Sequence, residues 1–192
     1  MDNVRSATPG QVRRSPSVPA HWPIRRHVAA AETTPAGPLH SVEVTVPAKT
    51  NLTLHVGPAH EEWGGRHALN TIYCAIGVND VVTATAKTPG SGFSLELSGE
   101  HLGDLASSGS DMRRNHAVLA LFAIARAAGR EPDVALHVDK HIPVGAGLGG
   151  GSADAAATLL AVNTLLGLHW PIERLRDIAA TLGADMPFCL EG

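Results

Sequence analysis

Residues 143 to 153 are Pro143, Val144, Gly145, Ala146, Gly147, Leu148, Gly149, Gly150, Gly151, Ser152 and Ala153, and an alanine- and leucine-rich run follows. Glycines of this density let a backbone approach a phosphate closely. A helix starting at Ser152 would add its unpaired N–H groups and the positive end of its dipole to the same anion. Ser152 can cap that helix or contact a phosphate, and Asp154 falls in the first turn. Gly145, Gly147 and Gly150 also satisfy G-x-G-x-x-G, so a dinucleotide-binding reading has to be weighed. It requires a strand after the helix with an acid at its end, whereas Trp170-Pro171-Ile172-Glu173 opens another helix. A Walker loop requires a lysine after the last glycine, and position 152 is serine. A bare glycine linker would not be pinned between a strand and a capped helix. A third kind of phosphate loop remains. His137 and His141 have a spacing that binds metal on a helix, but on a strand four residues span about 13 Å, too far for one ion, so no metal site is expected.

The elements that would hold this loop follow from apolar periodicity. Val42, Val44 and Val46 alternate with polar residues, as do Leu52, Leu54 and Val56, which predicts two strands with a break at Pro47 that leaves Lys49 and Asn51 near their junction. Further strands are expected at Val81 to Ala86, Phe93 to Leu97 and Val134 to Val138. Helices are expected at Asp111 to Ala128, Ser152 to Leu166 and Ile172 to Leu182, with Gly129, Gly167 and Gly183 as left-handed C-terminal caps. Strands come first and helices later, which gives an α+β fold with a mixed or antiparallel sheet. Residues 1–41 carry six prolines and five arginines without periodicity and read as a disordered leader; the prolines argue against the amphipathic helix of a transit peptide. Residues 42–192 form the folded domain. It ends on an apolar Phe188-Cys189-Leu190 segment with no turn or cap to close it, as a chain cut short would.

Bulk composition narrows the partners. With 192 residues, 44% hydrophobic and 17% charged, the chain can bury a sizeable core. A net charge of −3 offers nucleic acid or an anionic membrane no attraction, so small molecules are the expected partners. The two cysteines, Cys74 and Cys189, lack metal-ligand spacing and read as free thiols of a reducing cytoplasm. No apolar run is long enough to span a bilayer.

Three stretches taken in order carry a resemblance: Pro47-Ala48-Lys49-Thr50-Asn51-Leu52, the glycine loop at 143–153, and Leu182-Gly183-Ala184-Asp185-Met186-Pro187-Phe188. Over about residues 44–192 the sequence resembles the GHMP small-molecule kinases, and the first and third stretches narrow this to members acting on a cytidine-diphosphate-linked methylerythritol in non-mevalonate isoprenoid synthesis. The resemblance implies the N-terminal, ATP-binding domain of that fold, a mixed sheet packed against helices, with most of the C-terminal domain missing. It implies that residues 143–153 hold the phosphates of ATP, that Mg2+ accompanies the nucleotide, and that Lys49 and Asp185 are the catalytic pair. Asp185 would take the proton of the substrate 2-hydroxyl, and Lys49 would keep that carboxylate ionised.

Substrate contacts are implied for Asn51, His67 and Asn115, the last of which serves equally well as a helix cap. The family's Asp-Gly-Tyr-His appears here as Gly64-Gly65-Arg66-His67, so Arg66, with Trp63 nearby, stands where an aromatic residue would receive the cytosine. That departure keeps open another GHMP kinase with a different alcohol, and the missing C-terminal half keeps open a non-catalytic nucleotide-binding remnant.

Overall fold

The computed structural model describes residues 39–100, 102 and 112–191. Most of the expected leader, residues 1–38, lies outside the described residues, and Ser41 already belongs to the first strand. Two long strands, β1 (Ser41–His60) and β2 (Arg66–Ala86), form an antiparallel ribbon closed by a 3-10 turn at Glu61–Trp63. The two strands expected on either side of Pro47 are therefore one. Proline is tolerated because β1 is the edge of the sheet and because the break is a register shift between Pro47 and Ala48, where the ladder is already interrupted. Further shifts fall between Asn51 and Thr53 and between Val56 and Ala59.

β3 (Ser94–Gly99) and β4 (Val134–Lys140) complete a four-stranded sheet of order β1-β2-β4-β3. β2 runs antiparallel to β4, and β3 runs parallel to it, so the sheet is mixed, as expected. Its inward face is set by alternation: Val134, Leu136 and Val138 on β4 and Val82 and Ala84 on β2 are buried. The same period of two carries Lys140 and Asp80 inward at the ends of those rows, and both are buried.

Four helices, α1 (His116–Ala127), α2 (Gly150–Leu165), α3 (Ile172–Leu182) and α4 (Met186–Glu191), pack into the core that lies on this face. α2 is central and touches β1, β2 and all three other helices. It is accordingly buried almost all round, and its alanines 153, 155, 156, 157 and 161 let its neighbours approach closely. Each fully buried leucine here, such as Leu159 or Leu121, contributes roughly 1.5–3 kcal/mol relative to an exposed one.

Several expected boundaries change. α1 starts at His116 rather than at Asp111, which lies outside the described residues, because Asn115 takes an extended conformation and its side chain accepts the Ala117 N–H at 2.9 Å. α2 starts at Gly150, not Ser152, with the left-handed Gly149 in the cap position, so Ser152 is inside the first turn and is not the cap. Gly129 and Gly167 are left-handed as expected, but Gly183 is extended at φ −176°, since the chain runs straight on towards α4. The apolar Phe188-Cys189-Leu190 segment, expected to be uncapped, is part of α4, whose carbonyl ladder opens at Asp185 through a bond from the Cys189 N–H. Among the described residues no helix is long and apolar enough to cross a membrane.

Candidate active site

Between β4 and α2 the glycine loop takes the shape that its composition asks for. Gly145, Gly147 and Gly149 have φ of +76°, +76° and +73°. Left-handed glycines alternating with Ala146 and Leu148, whose φ is negative, curl the backbone, a pattern whose successive N–H groups can form a hollow for an anion. The N–H groups of Gly150 and Gly151, in the first turn of α2, border the same hollow, and Gly149 offers no side chain to cap them. A pocket of about 260 Å³ lies here, lined by all the residues from Pro143 to Gly151 together with Arg114, Asn115, His116, Lys140 and Asp154. Asn115 thus caps α1 and also borders the pocket. Ser152 and Ala153 are not part of the lining; Ala153 is fully buried, and its N–H bonds the Gly149 carbonyl.

Beneath the loop is a buried ionic cluster that the sequence did not reveal. The Lys140 ammonium donates to Asp80 Oδ2 and, at 2.7 Å, to Asp154 Oδ2. Asp80 Oδ1 accepts the N–H groups of His141 and Ile142 at 2.6 and 2.8 Å. One lysine therefore ties β2, β4 and α2 together where the loop leaves the sheet. Burial pushes the Asp154 carboxyl up to about 7 against the pull of Lys140, and its Oδ1 is buried without a hydrogen-bond partner. Alternation along β4 was the available signal, but the apolar row Val134, Leu136, Val138 ends in a charge, which makes the strand read as finished.

Lys49 and Asp185 meet. The Lys49 Nζ lies 3.1 Å from Asp185 Oδ2 and donates to Asn51 Oδ1 at 2.9 Å. The shifts after Pro47 and after Asn51 enclose a short regular stretch in which Lys49 faces Ala75 and Asn51 faces Tyr73. Positions 49 and 51 share one side of the ribbon, and that side also carries Tyr73. The Tyr73 hydroxyl donates to Asp185 Oδ1 at 2.8 Å. Asn51 in turn donates to Thr71 at 2.6 Å, and the Thr71 hydroxyl donates to the Thr53 carbonyl, which fixes the amide. The Lys49 N–H donates to the Leu148 carbonyl at 2.9 Å, so the ion pair borders the glycine loop.

His67 is not brought to this cluster. It is exposed near the far end of the ribbon, bonded to the Gly57 carbonyl at 2.8 Å. The side chains of Trp63 and Arg66, which the cytosine expectation involved, lie outside the described residues. His137 bonds Ser98 and His141 bonds Asp139. Cys74 and Cys189 are free thiols, half-buried and buried respectively. Among the described residues no group of three or more His, Cys, Asp or Glu side chains could hold a metal ion.

A mixed sheet with helices on its inner face and a glycine loop feeding a buried helix is the architecture of the GHMP kinase N-terminal domain. Residues 115–192 match the family model for the GHMP kinases N terminal domain, and that part of the chain belongs to the family. It is 75% identical over 154 residues to the 4-diphosphocytidyl-2-C-methyl-D-erythritol kinase of Bifidobacterium adolescentis, covering 80% of this chain and 50% of the relative. To the enzyme of the same name from Bifidobacterium longum subsp. infantis it is 80% identical over 152 residues, covering 79% of this chain and 48% of the relative. The chain spans about half the length of these curated relatives. A crystal structure of 4-(cytidine 5'-diphospho)-2C-methyl-D-erythritol kinase superimposes with a TM-score of 0.58 at 36% identity, covering 78% of this chain and 48% of the other. Homoserine kinase from Cytophaga hutchinsonii shares the fold alone, at a TM-score of 0.57 and 18% identity over 79% of this chain and 43% of the other.

Proposed function

We propose that this chain supplies the ATP-binding loop and the proton acceptor of a kinase that phosphorylates the 2-hydroxyl of 4-diphosphocytidyl-2-C-methyl-D-erythritol. The observation that carries this reading is the Lys49–Asp185 ion pair, 3.1 Å long, lying against a glycine loop shaped for phosphate. The γ-phosphate would rest on the N–H groups of the loop and of the first turn of α2. The substrate hydroxyl gives its proton to Asp185 while its oxygen forms a bond to the γ-phosphorus, and the bond from that phosphorus to the β,γ-bridging oxygen breaks to release ADP. Lys49 offsets negative charge on the attacking and transferring oxygens and, through Asn51 and Asp185, is itself held in place. Mg2+ would travel on the ATP phosphates and screen their charge. Asn51 and Asn115 border the acceptor and nucleotide sides respectively, and His67 belongs to the cytidine end of the substrate. The free thiols Cys74 and Cys189 agree with a cytoplasmic setting.

A second reading, a GHMP kinase for another small alcohol, is favoured by Arg66 in the place of the family's aromatic residue. Coupled detection of ADP, with 31P NMR of the product, tests both. Turnover with the cytidylylated alcohol that disappears in Lys49→Ala and Asp185→Asn supports the first reading. Turnover only with a different alcohol supports the second, and nucleotide binding without turnover overturns both.

A further inference from the structure

Tyr73 is the only tyrosine of the chain, and no motif points to it. The ribbon sets it opposite Asn51 on the side that carries Lys49. Its ring stacks on Phe188 of α4 with centroids 4.7 Å apart, and the Lys49 ammonium lies 5.5 Å from the ring centre. These contacts hold the phenol between the strand that carries the cation and the helix that follows the carboxylate. Its hydroxyl reaches Asp185 Oδ1 while Lys49 takes Oδ2.

We propose that Tyr73 is a positioning residue for Asp185, its hydroxyl holding one carboxylate oxygen while Lys49 holds the other, so that the base meets the substrate hydroxyl in a single orientation. The proposal rests on the kinase reading above. A carboxylate engaged on one oxygen swings about its Cβ–Cγ bond, whereas one engaged on both is locked, each oxygen keeping a lone pair for the incoming proton. Proton transfer depends steeply on such alignment. Burial first, and then the bond to Asp185, push the phenol up to about 12, so it is neutral at working pH and always available as the donor. The phenol keeps its own proton throughout: Asp185 receives the proton from the substrate, and Tyr73 only steers it.

Tyr73→Phe keeps the ring, its stack on Phe188 and its face towards Lys49, and it removes only the hydroxyl. Loss of one hydrogen bond to a charged group is expected to lower kcat about tenfold with the KM for ATP unchanged. A kcat equal to the unsubstituted chain overturns the proposal, as does a change confined to KM. A packing role would leave this variant active and Tyr73→Ala impaired through lower thermal stability. If the unsubstituted chain phosphorylates no alcohol, the kinase reading falls, and ultraviolet titration of the single phenol decides the contact separately. Its midpoint should drop in Asp185→Asn, and an unchanged midpoint overturns the hydroxyl–carboxylate bond.

Discussion

The stem of Lys49 lies directly on Gly149: a β-carbon at position 149 would sit 2.8 Å from Lys49 Cγ and 3.0 Å from Cε. The cation is therefore placed by the phosphate loop itself, and Gly149 is fixed twice, by that contact and by a left-handed φ of +73°. In Gly149→Ala, the backbone strain alone is expected to cost roughly 1–2 kcal/mol, and Lys49 must move off Asp185. Calorimetric titration with ATP should show weakened binding, and turnover should fall further than binding does. A variant with normal ATP affinity and normal turnover would contradict this placement.

Removal of the base is expected to act on rate far more than on folding. Asp185 retains 29% exposure of its side chain, but Lys49 is buried, so Asp185→Asn leaves that ammonium with Asn51 Oδ1 as its remaining acceptor and costs some stability as well. Loss of a general base lowers kcat by about 10²–10⁴. ATP affinity of Asp185→Asn should stay near that of the parent while its melting temperature falls by a few degrees, which is checked by steady-state kinetics beside a thermal melt.

Lys140 makes the opposite prediction. It is 1% exposed and neutralises two buried carboxylates at once. Lys140→Met strands both, and breaking a buried pair in this way costs about 3–5 kcal/mol. Adding Asp80→Asn and Asp154→Asn to Lys140→Met removes the stranded charges and should recover part of that loss. Urea unfolding midpoints of the single and triple variants measure it.

Asp154 gives the domain a pH dependence of defined sign. Its folded value, about 7, lies above the unfolded carboxylate range because of burial, with Lys140 opposing the shift and the nearby Asp80 charge adding to it. The stability it contributes is fully present below about pH 4 and is lost as pH rises through about 7. Asp154→Asn cannot ionise. The unfolding free energy of the parent relative to this variant should therefore fall between about pH 4 and about pH 7 and level off above it, and a flat difference would count against the shift.

What could be read from the sequence was whatever a residue type states by itself. The glycines announced a phosphate loop, and the periods of two and 3.6 located the strands and helices, because those signals are local. Lys49 and Asp185 could be paired only through family resemblance, since nothing near either residue says that β1 and the start of α4 meet. Tyr73 was invisible for a related reason: its side of the ribbon is settled by shifts of register after Pro47 and Asn51 that no residue pattern marked. Lys140 and Asp80 were passed over because each ends an apolar row with a charge, although the alternation continues through them. His67 was placed by motif alone, and the fold sets it apart from the Lys49 cluster.

The ribbon's register also governs which changes of length the chain can absorb. Within the regular stretch from Ala48 to Asn51 against Tyr73 to Ile76, losing or gaining a single residue turns Lys49 and Asn51 over to the other side of the strand. Beyond Val56, where the pairing has already slipped and the ribbon runs out towards its 3-10 turn, an added residue only lengthens the tip. The part of β1 that carries the charge is thus intolerant of insertion and deletion, while the part of the same strand beyond Val56 is free to vary in length.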